Sequence, residues 1–280
     1  MNKLRDPEPP HRAPADSARR LRRCAPFFAL LGLFAVLAGS AHAARVIPEP
    51  PLIAPNPDPF WPADNIFPGK GVVWASNRFH NVNYERRLLF SQNREKDQGG
   101  VVFLGDSITQ GWKDLETAFP EIPMKIVNRG INGDTTPNVL FRVEEDVVSL
   151  NPRAVVLLIG TNDLRHGVSP AEITENVEAI IQKLRSKNAR LPIVLCLVMP
   201  RAGDAEFPER IPRLNARLQG LANAATPKIK ICDTYGPFVQ ADLTSNPSDF
   251  TDRLHPNAAG YAKWREALLP LLQTIAAQSQ

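Results

Sequence analysis

Cysteine is scarce in this chain of 280 residues, which contains three in all. Beyond residue 43 there are only Cys196 and Cys232, and each stands in an apolar run typical of a buried strand. Their number and spacing fit neither a disulfide framework nor a zinc site, so we expect two buried small apolar side chains. The H-E-x-x-H, P-loop and G-x-S-x-G motifs are also missing, so nothing in the sequence indicates a metalloprotease, a nucleotide-binding loop or an α/β-hydrolase elbow.

A long apolar run is missing as well. Residues 27–38 are apolar apart from Gly32, which is too short a stretch for a membrane-spanning helix. Arginines precede this run and Ala41-His42-Ala43 follows it, which is the order of a secretory signal peptide over residues 1–43. We therefore expect cleavage after Ala43, export to the periplasm or the extracellular space, and no integral membrane span afterwards. Ser40 stands where a lipoprotein signal needs cysteine, so no lipid anchor is expected.

An excess of one charge is absent once the first 43 residues are set aside. The whole chain has 33 basic and 29 acidic side chains, a formal net charge of +4. Residues 1–43 hold seven of the basic and three of the acidic ones, which leaves 26 of each. The basic surface of a nucleic-acid-binding or membrane-surface protein is therefore not indicated.

The residues after the signal suit one sizeable domain with an N-terminal appendage. Residues 44–70 contain eight prolines and little apolar periodicity, which favours an extended linker or a strap across the domain rather than regular structure. Residues 71–99 mix aromatic and charged side chains, and we expect an amphipathic helix near 84–95 that packs against the main domain, residues 100–280.

Strand and helix patterns alternate from residue 100 onwards. The predicted strands are 101–104, 125–128, 154–159, 193–198 and 229–233. The predicted helices are 109–118, 137–149, 170–187, 212–225 and 258–277. Ser169 and Glu172 form a capping box that marks the start of the third helix. The alternation predicts an α/β fold, a five-stranded parallel sheet with helices on both faces.

Polar residues follow several predicted strands at the edge where parallel strands share their carboxyl ends. The first strand ends at Gly105-Asp106-Ser107, the second runs into the glycine-rich loop 128–136, and the third is followed by Gly160-Thr161-Asn162-Asp163. Asp252 and His255 precede the last helix. Since ligand sites of open α/β sheets lie at this edge, we expect these side chains to meet there.

These residue types fit nucleophilic acyl chemistry. A serine hydroxyl needs an imidazole to take its proton, which makes His255 the candidate base for Ser107, with Asp252 to orient it. A glycine N–H of the loop and the amide of Asn162 are candidate oxyanion donors. Taken singly, each residue is better explained as a turn, cap or loop residue, as is His166, which we expect to be solvated. Their joint occurrence at strand ends favours a site.

The same blocks resemble those of the SGNH (GDSL-type) hydrolases. Residues 105–108, 130–136, 160–163 and 252–255 correspond to the four blocks of that family. The resemblance implies a flavodoxin-like three-layer α/β/α sandwich and no metal or organic cofactor. It implies Ser107 as nucleophile, with His255 and Asp252 completing a triad. It also implies an oxyanion hole formed by the backbone N–H groups of Ser107 and Gly133 and the side chain of Asn162.

The loop 128–136 and Gly111-Trp112 are most similar to the branch related to the catalytic subunits of platelet-activating-factor acetylhydrolase. We therefore expect an exported serine esterase that removes a short acyl group, such as acetyl, from a carbohydrate or small ester. A lysophospholipase or thioesterase is an alternative, with Trp112, Phe238 and Phe250 as candidate lining of an acyl groove. An acyltransferase and a non-catalytic glycan-binding or envelope-scaffold protein are the others. The oligomeric state is left open.

Overall fold

The computed structural model describes residues 44–48, 58–203 and 206–278, so the predicted signal peptide lies outside the described residues. Its strands are β1 (Arg45–Pro48), β2 (Val72–Ala75), β3 (Val101–Gly105), β4 (Ile126–Gly130), β5 (Ala154–Leu158), β6 (Ile193–Cys196) and β7 (Lys230–Cys232). Its helices are α1 (Asn77–Gln92), α2 (Ser107–Gln110), α3 (Thr136–Asp146), α4 (Thr161–Arg165), α5 (Pro170–Leu184), α6 (Phe207–Ala224) and α7 (Ala258–Gln278). None of the described helices combines the length and apolar character needed to span a membrane.

The central element is a five-stranded sheet in the order β4-β3-β5-β6-β7, in which every neighbouring pair is parallel. Side chains alternate between its two faces. Val102 and Leu104 of β3 join an apolar core with α3, α5 and α6. Val101 and Phe103 join a second core with α2 and α7 on the opposite face. The predicted α/β/α sandwich and its parallel sheet are confirmed.

Three predicted helices have different limits in the structure. The helix expected at 109–118 is α2, which Gly111 ends after one turn, followed by a separate 3₁₀ turn at Leu115–Thr117. The helix near 84–95 begins much earlier, because the Ser76 hydroxyl accepts the N–H of Phe79 and caps it. The helix at 212–225 also begins earlier, and Pro212 lies inside it as the sixth residue, where it has no N–H to donate to the carbonyl of residue 208. The capping box of Ser169 is present.

The described parts of the proline-rich segment, residues 44–48 and 58–70, pack against the domain as a strap and do not form a free linker. The expectation that it has no regular structure is wrong for residues 45–48, because β1 pairs in parallel with β2. Further along, Trp61 and Phe67 are buried with Phe79 and Phe90 of α1 against Ile131 in the loop after β4. This third apolar cluster brings the N-terminal segment to the carboxyl edge of the sheet.

A buried guanidinium also anchors α1. The side chain of Arg87 is 2% exposed and lies 3.0 Å from the Asp146 carboxylate and 2.7 Å from that of Glu145. Its Nη1 donates to the carbonyl of Phe60 at 2.6 Å. Arg87 thus joins α1, α3 and the strap. Cys196 and Cys232, adjacent in register on β6 and β7, are buried, as expected, and both are free thiols.

Replacing Arg87 by alanine should lower the free energy of unfolding by about 3–5 kcal/mol, because it breaks a buried ion pair and leaves Asp146 less compensated. Arg94→Ala is the matched control: Arg94 also pairs with Glu145, but at the surface, where an ion pair contributes about 1 kcal/mol or less. Urea denaturation of both variants measures the difference. Equal losses would show that Arg87 is not an anchor.

Candidate active site

Ser107 is presented by the abrupt change from strand to helix at the end of β3. The Asp106 carboxylate accepts the N–H of Ile108 at 2.9 Å and caps α2, so Ser107 is the first residue of that helix. This cap places the hydroxyl at the carboxyl edge of the sheet, where the sequence predicted it. The serine is therefore held by a short, hydrogen-bonded turn.

The structure brings the predicted base and acid to this hydroxyl. Ser107 Oγ lies 2.9 Å from His255 Nε2, and His255 Nδ1 lies 2.8 Å from Asp252 Oδ2. With the Nδ1 proton donated to the carboxylate, a neutral imidazole presents Nε2 as an acceptor for the serine proton. The three side chains form one hydrogen-bonded chain with the polarity that proton abstraction from a hydroxyl requires.

Asp252 is held ionised by its own turn. Its Oδ1 accepts the backbone N–H groups of Leu254 and His255, each at 2.7 Å. Partial burial acts to raise the pKa of Asp252, but these bonds and the bond from the His255 ring outweigh it and lower the pKa to about 2. The carboxylate stays charged through the neutral range and can stabilise an imidazolium. The Asp252 and His255 side chains are 56% and 40% exposed, so the site is open.

Gly133 and Asn162, the predicted oxyanion donors, lie together on one wall of a cavity of about 250 Å³. Gly133 has a φ of +90°, and a Cβ there would lie 2.6 Å from the ring of Phe79, so only glycine fits. The amide of Asn162 donates to the carbonyl of Asp134 at 2.9 Å, which orients it beside Gly133. The loop is tied to the serine-bearing strand because the N–H of Ile131 donates to the carbonyl of Gly105 at 3.1 Å.

Three buried carboxylates lie beneath these groups, and sequence reasoning gave none of them a supporting role. Burial, reinforced by the nearby charges of Asp134 and Asp163, raises the pKa of Asp106 to about 7. Burial likewise raises the pKa of Asp134 and that of Asp163 to about 6 each, although Arg142 opposes the shift at Asp134 and Thr136 opposes it at Asp163. In the sequence, Arg142 interrupts the apolar positions of α3. This charged residue was the one signal that pointed to a buried ion pair.

The aromatic side chains considered as lining of an acyl groove are packed in the core. Trp112, Phe238 and Phe250 are buried, and Trp112 stacks on Tyr261 with 5.1 Å between ring centroids. His166, expected to be a solvated loop residue, is half-buried in the turn after α4 and lines the same cavity as Gly133. Among the described residues, no group of three or more His, Cys, Asp or Glu side chains could hold a metal ion.

A sequence profile of the GDSL-like lipase/acylhydrolase family matches residues 103–263, more than half of the chain. The chain belongs to this family. It is therefore an ester-hydrolysing enzyme, as expected from its sequence, and the alternative of a non-catalytic binding protein is not supported.

Curated relatives and solved structures agree with this family. The GDSL hydrolase is 31% identical over 218 residues to the platelet-activating factor acetylhydrolase IB subunit alpha1 of Pongo abelii, covering 74% of this chain and 88% of that protein. It is 30% identical over 202 residues to the alpha2 subunit of Homo sapiens, covering 69% and 82%. A GDSL-like lipase from Bacteroides thetaiotaomicron matches with 27% identity and a TM-score of 0.56, covering 72% of this chain and 98% of that one.

Asp106→Asn should flatten the pH dependence of stability. A carboxyl group whose pKa is raised on folding favours the folded state below its unfolded pKa, and this contribution is lost as pH rises through about 7. The free energy of unfolding of the unchanged protein should therefore fall between pH 4 and 7. In the Asp106→Asn variant the amide never ionises, so this decrease should be smaller by up to about 4 kcal/mol. Urea denaturation across this pH range is the measurement, and an unchanged slope would mean that Asp106 is not the titrating group.

Proposed function

We propose that this GDSL hydrolase is an exported serine esterase that removes acetyl and other short acyl groups from carbohydrates or other small alcohols. The observation that carries the proposal is the chain of hydrogen bonds Ser107–His255–Asp252, with lengths of 2.9 and 2.8 Å. Family membership limits the chemistry to acyl esters, and this chain supplies an activated hydroxyl for it.

The proposed reaction has two steps. His255 Nε2 takes the proton of Ser107 as its Oγ attacks the ester carbonyl, and the oxyanion accepts hydrogen bonds from the N–H groups of Ser107 and Gly133 and from the Asn162 amide. The tetrahedral intermediate collapses, His255 protonates the departing alcohol, and an acyl-serine remains. Water, deprotonated by His255, then attacks this ester, releases the carboxylic acid and restores the Ser107 hydroxyl. Asp252 stabilises the imidazolium formed in each step.

Four observations support the short acyl group, the polar alcohol and export. The relatives from Pongo abelii and Homo sapiens are acetylhydrolase subunits. Trp112, Phe238 and Phe250, the expected lining for a longer chain, are buried in the core. The exposed His255 and Asp252 leave the reacting centre open to a polar substrate. The signal-like pattern of residues 1–43 supports export.

Ser107→Ala should reduce hydrolysis of p-nitrophenyl acetate by about 10⁴-fold or more, because the nucleophile is lost. Asp252→Asn should leave measurable activity, with a loss of roughly 10²–10⁴-fold, since the imidazole remains. Ser186→Ala, in the exposed turn after α5, is the control and should retain full activity. A fluorophosphonate probe mapped by mass spectrometry should modify Ser107, and a folded protein left unlabelled there would contradict the proposal.

Acyl-chain preference provides a separate test. On p-nitrophenyl esters from C2 to C12, kcat/KM should be highest at C2 to C4 and fall at least about tenfold by C8, because the described residues that were expected to form a long groove are buried. Rates should be measured below the critical micelle concentration of each ester. A rise with chain length would instead favour a lysophospholipase or thioesterase.

A further inference from the structure

The N-terminal segment contributes to the cavity beside the proposed oxyanion donors. Arg78 and Phe79, in the first turn of α1, line this cavity together with Gly133 and Asn162. Its volume of about 250 Å³ lies below the range of drug-sized pockets, so it suits one small substituent or sugar unit. A group bound there would contact the two proposed oxyanion donors.

The two charged residues that line this cavity are both basic. Arg78, Arg165 at the end of α4, and the neighbouring His166 all line the cavity, and none of the described lining residues is acidic. Neither Arg78 nor Arg165 forms an ion pair with a carboxylate among the described residues. In contrast, the buried Arg87 and Arg142 are both ion-paired.

His166 is not counted among the charged groups of the cavity. Burial lowers the pKa of His166, and the charges of Arg165 and Arg201 lower it further, which favours the neutral imidazole. Asn132, whose backbone N–H donates to the Gln110 side chain, adds a polar group to the wall.

We propose that this cavity binds a carboxylate on the alcohol portion of the substrate, so that the preferred substrate is an O-acetylated acidic sugar such as a hexuronate. The inference rests on the proposed function, because an acetyl group carries no charge and an anion in the cavity must then belong to the alcohol. Arg78 and Arg165 offer planar donors that match a carboxylate, and the anion would pair with these two side chains, which form no ion pair among the described residues.

A matched pair of substrates tests the proposal. An O-acetylated methyl hexuronoside and the O-acetylated methyl hexoside of the same stereochemistry differ only at C6. The protein with Arg78 and Arg165 intact should show a kcat/KM at least about tenfold higher for the acidic sugar, and added salt should reduce this ratio. Arg78→Gln and Arg165→Gln should each reduce the ratio about fivefold or more. Arg190→Gln, at the exposed opposite edge of the sheet before β6, should preserve it.

Direct binding separates failure of the site from failure of the esterase. Calorimetry with the Ser107→Ala protein should show that the unacetylated methyl hexuronoside binds more tightly than the methyl hexoside. In the double variant with Arg78→Gln, the two sugars should bind with equal affinity. If the enzyme cleaves no acetyl ester, the proposed function fails, and this binding still decides whether the cavity takes a carboxylate. Equal binding and equal cleavage of the two sugars would overturn the carboxylate site while leaving the esterase intact.

One further pair of esters locates the charge. p-Nitrophenyl hemisuccinate and p-nitrophenyl butyrate differ by a carboxylate on the acyl portion. We expect no preference for the hemisuccinate. A tenfold preference for it, together with equal cleavage of the two sugars, would place the anion on the acyl side and overturn the assignment to the alcohol.

Discussion

The arrangement of the site depends on one buried cation, Arg142 of α3. Its guanidinium lies 2.7 Å from the Asp134 carboxylate and donates to the carbonyls of Gly105 at 3.2 Å and Arg129 at 2.8 Å. Gly105 ends the strand that precedes Ser107, Arg129 is near the end of the neighbouring strand, and Asp134 follows Gly133. One side chain therefore holds the turn that bears Ser107 and the loop that bears Gly133 in register. A buried charge is costly unless it is paired. Arg142 therefore fixes the positions of the Asp134 carboxylate and of the two carbonyls relative to one another.

The same cation connects the site to the N-terminal segment. Asp146 lies between Arg142 at 3.4 Å and Arg87 of α1 at 3.0 Å, so α1 is joined through charged groups to the loop that bears Gly133. Apolar packing acts in parallel, because the ring of Phe79 occupies the space that a side chain at position 133 would need. The N-terminal segment thus lines the same cavity as Gly133, and its position is coupled to that of the loop that bears Gly133.

Local signals explain which parts of this arrangement the sequence could predict. The apolar runs of β3 and β5 stop at Gly105 and Gly160, and the alternation of strand and helix patterns predicted the order of elements. The polar residues after these strands indicated where Ser107, His255 and Asp252 would meet. The pairing of β1 with β2 could not be predicted, because a composition rich in proline argues against a strand and the partner lies 27 residues away. The buried carboxylates were missed for a related reason: Asp163 is satisfied by Thr136, a partner that no local pattern identifies.

The open position of the reacting groups has a consequence for selectivity. With His255 and Asp252 both partly exposed, the hydrogen-bonded chain can activate Ser107 but encloses little of a substrate. Discrimination between esters must then come from the side chains that surround this hydrogen-bonded chain. Helix α1 supplies some of them and lies outside the family match at residues 103–263. Arg78 and Phe79 lie on this helix and border Gly133, so they can alter what binds without altering the groups that react. Family members with the same blocks could therefore differ in substrate through the segment that precedes the shared domain.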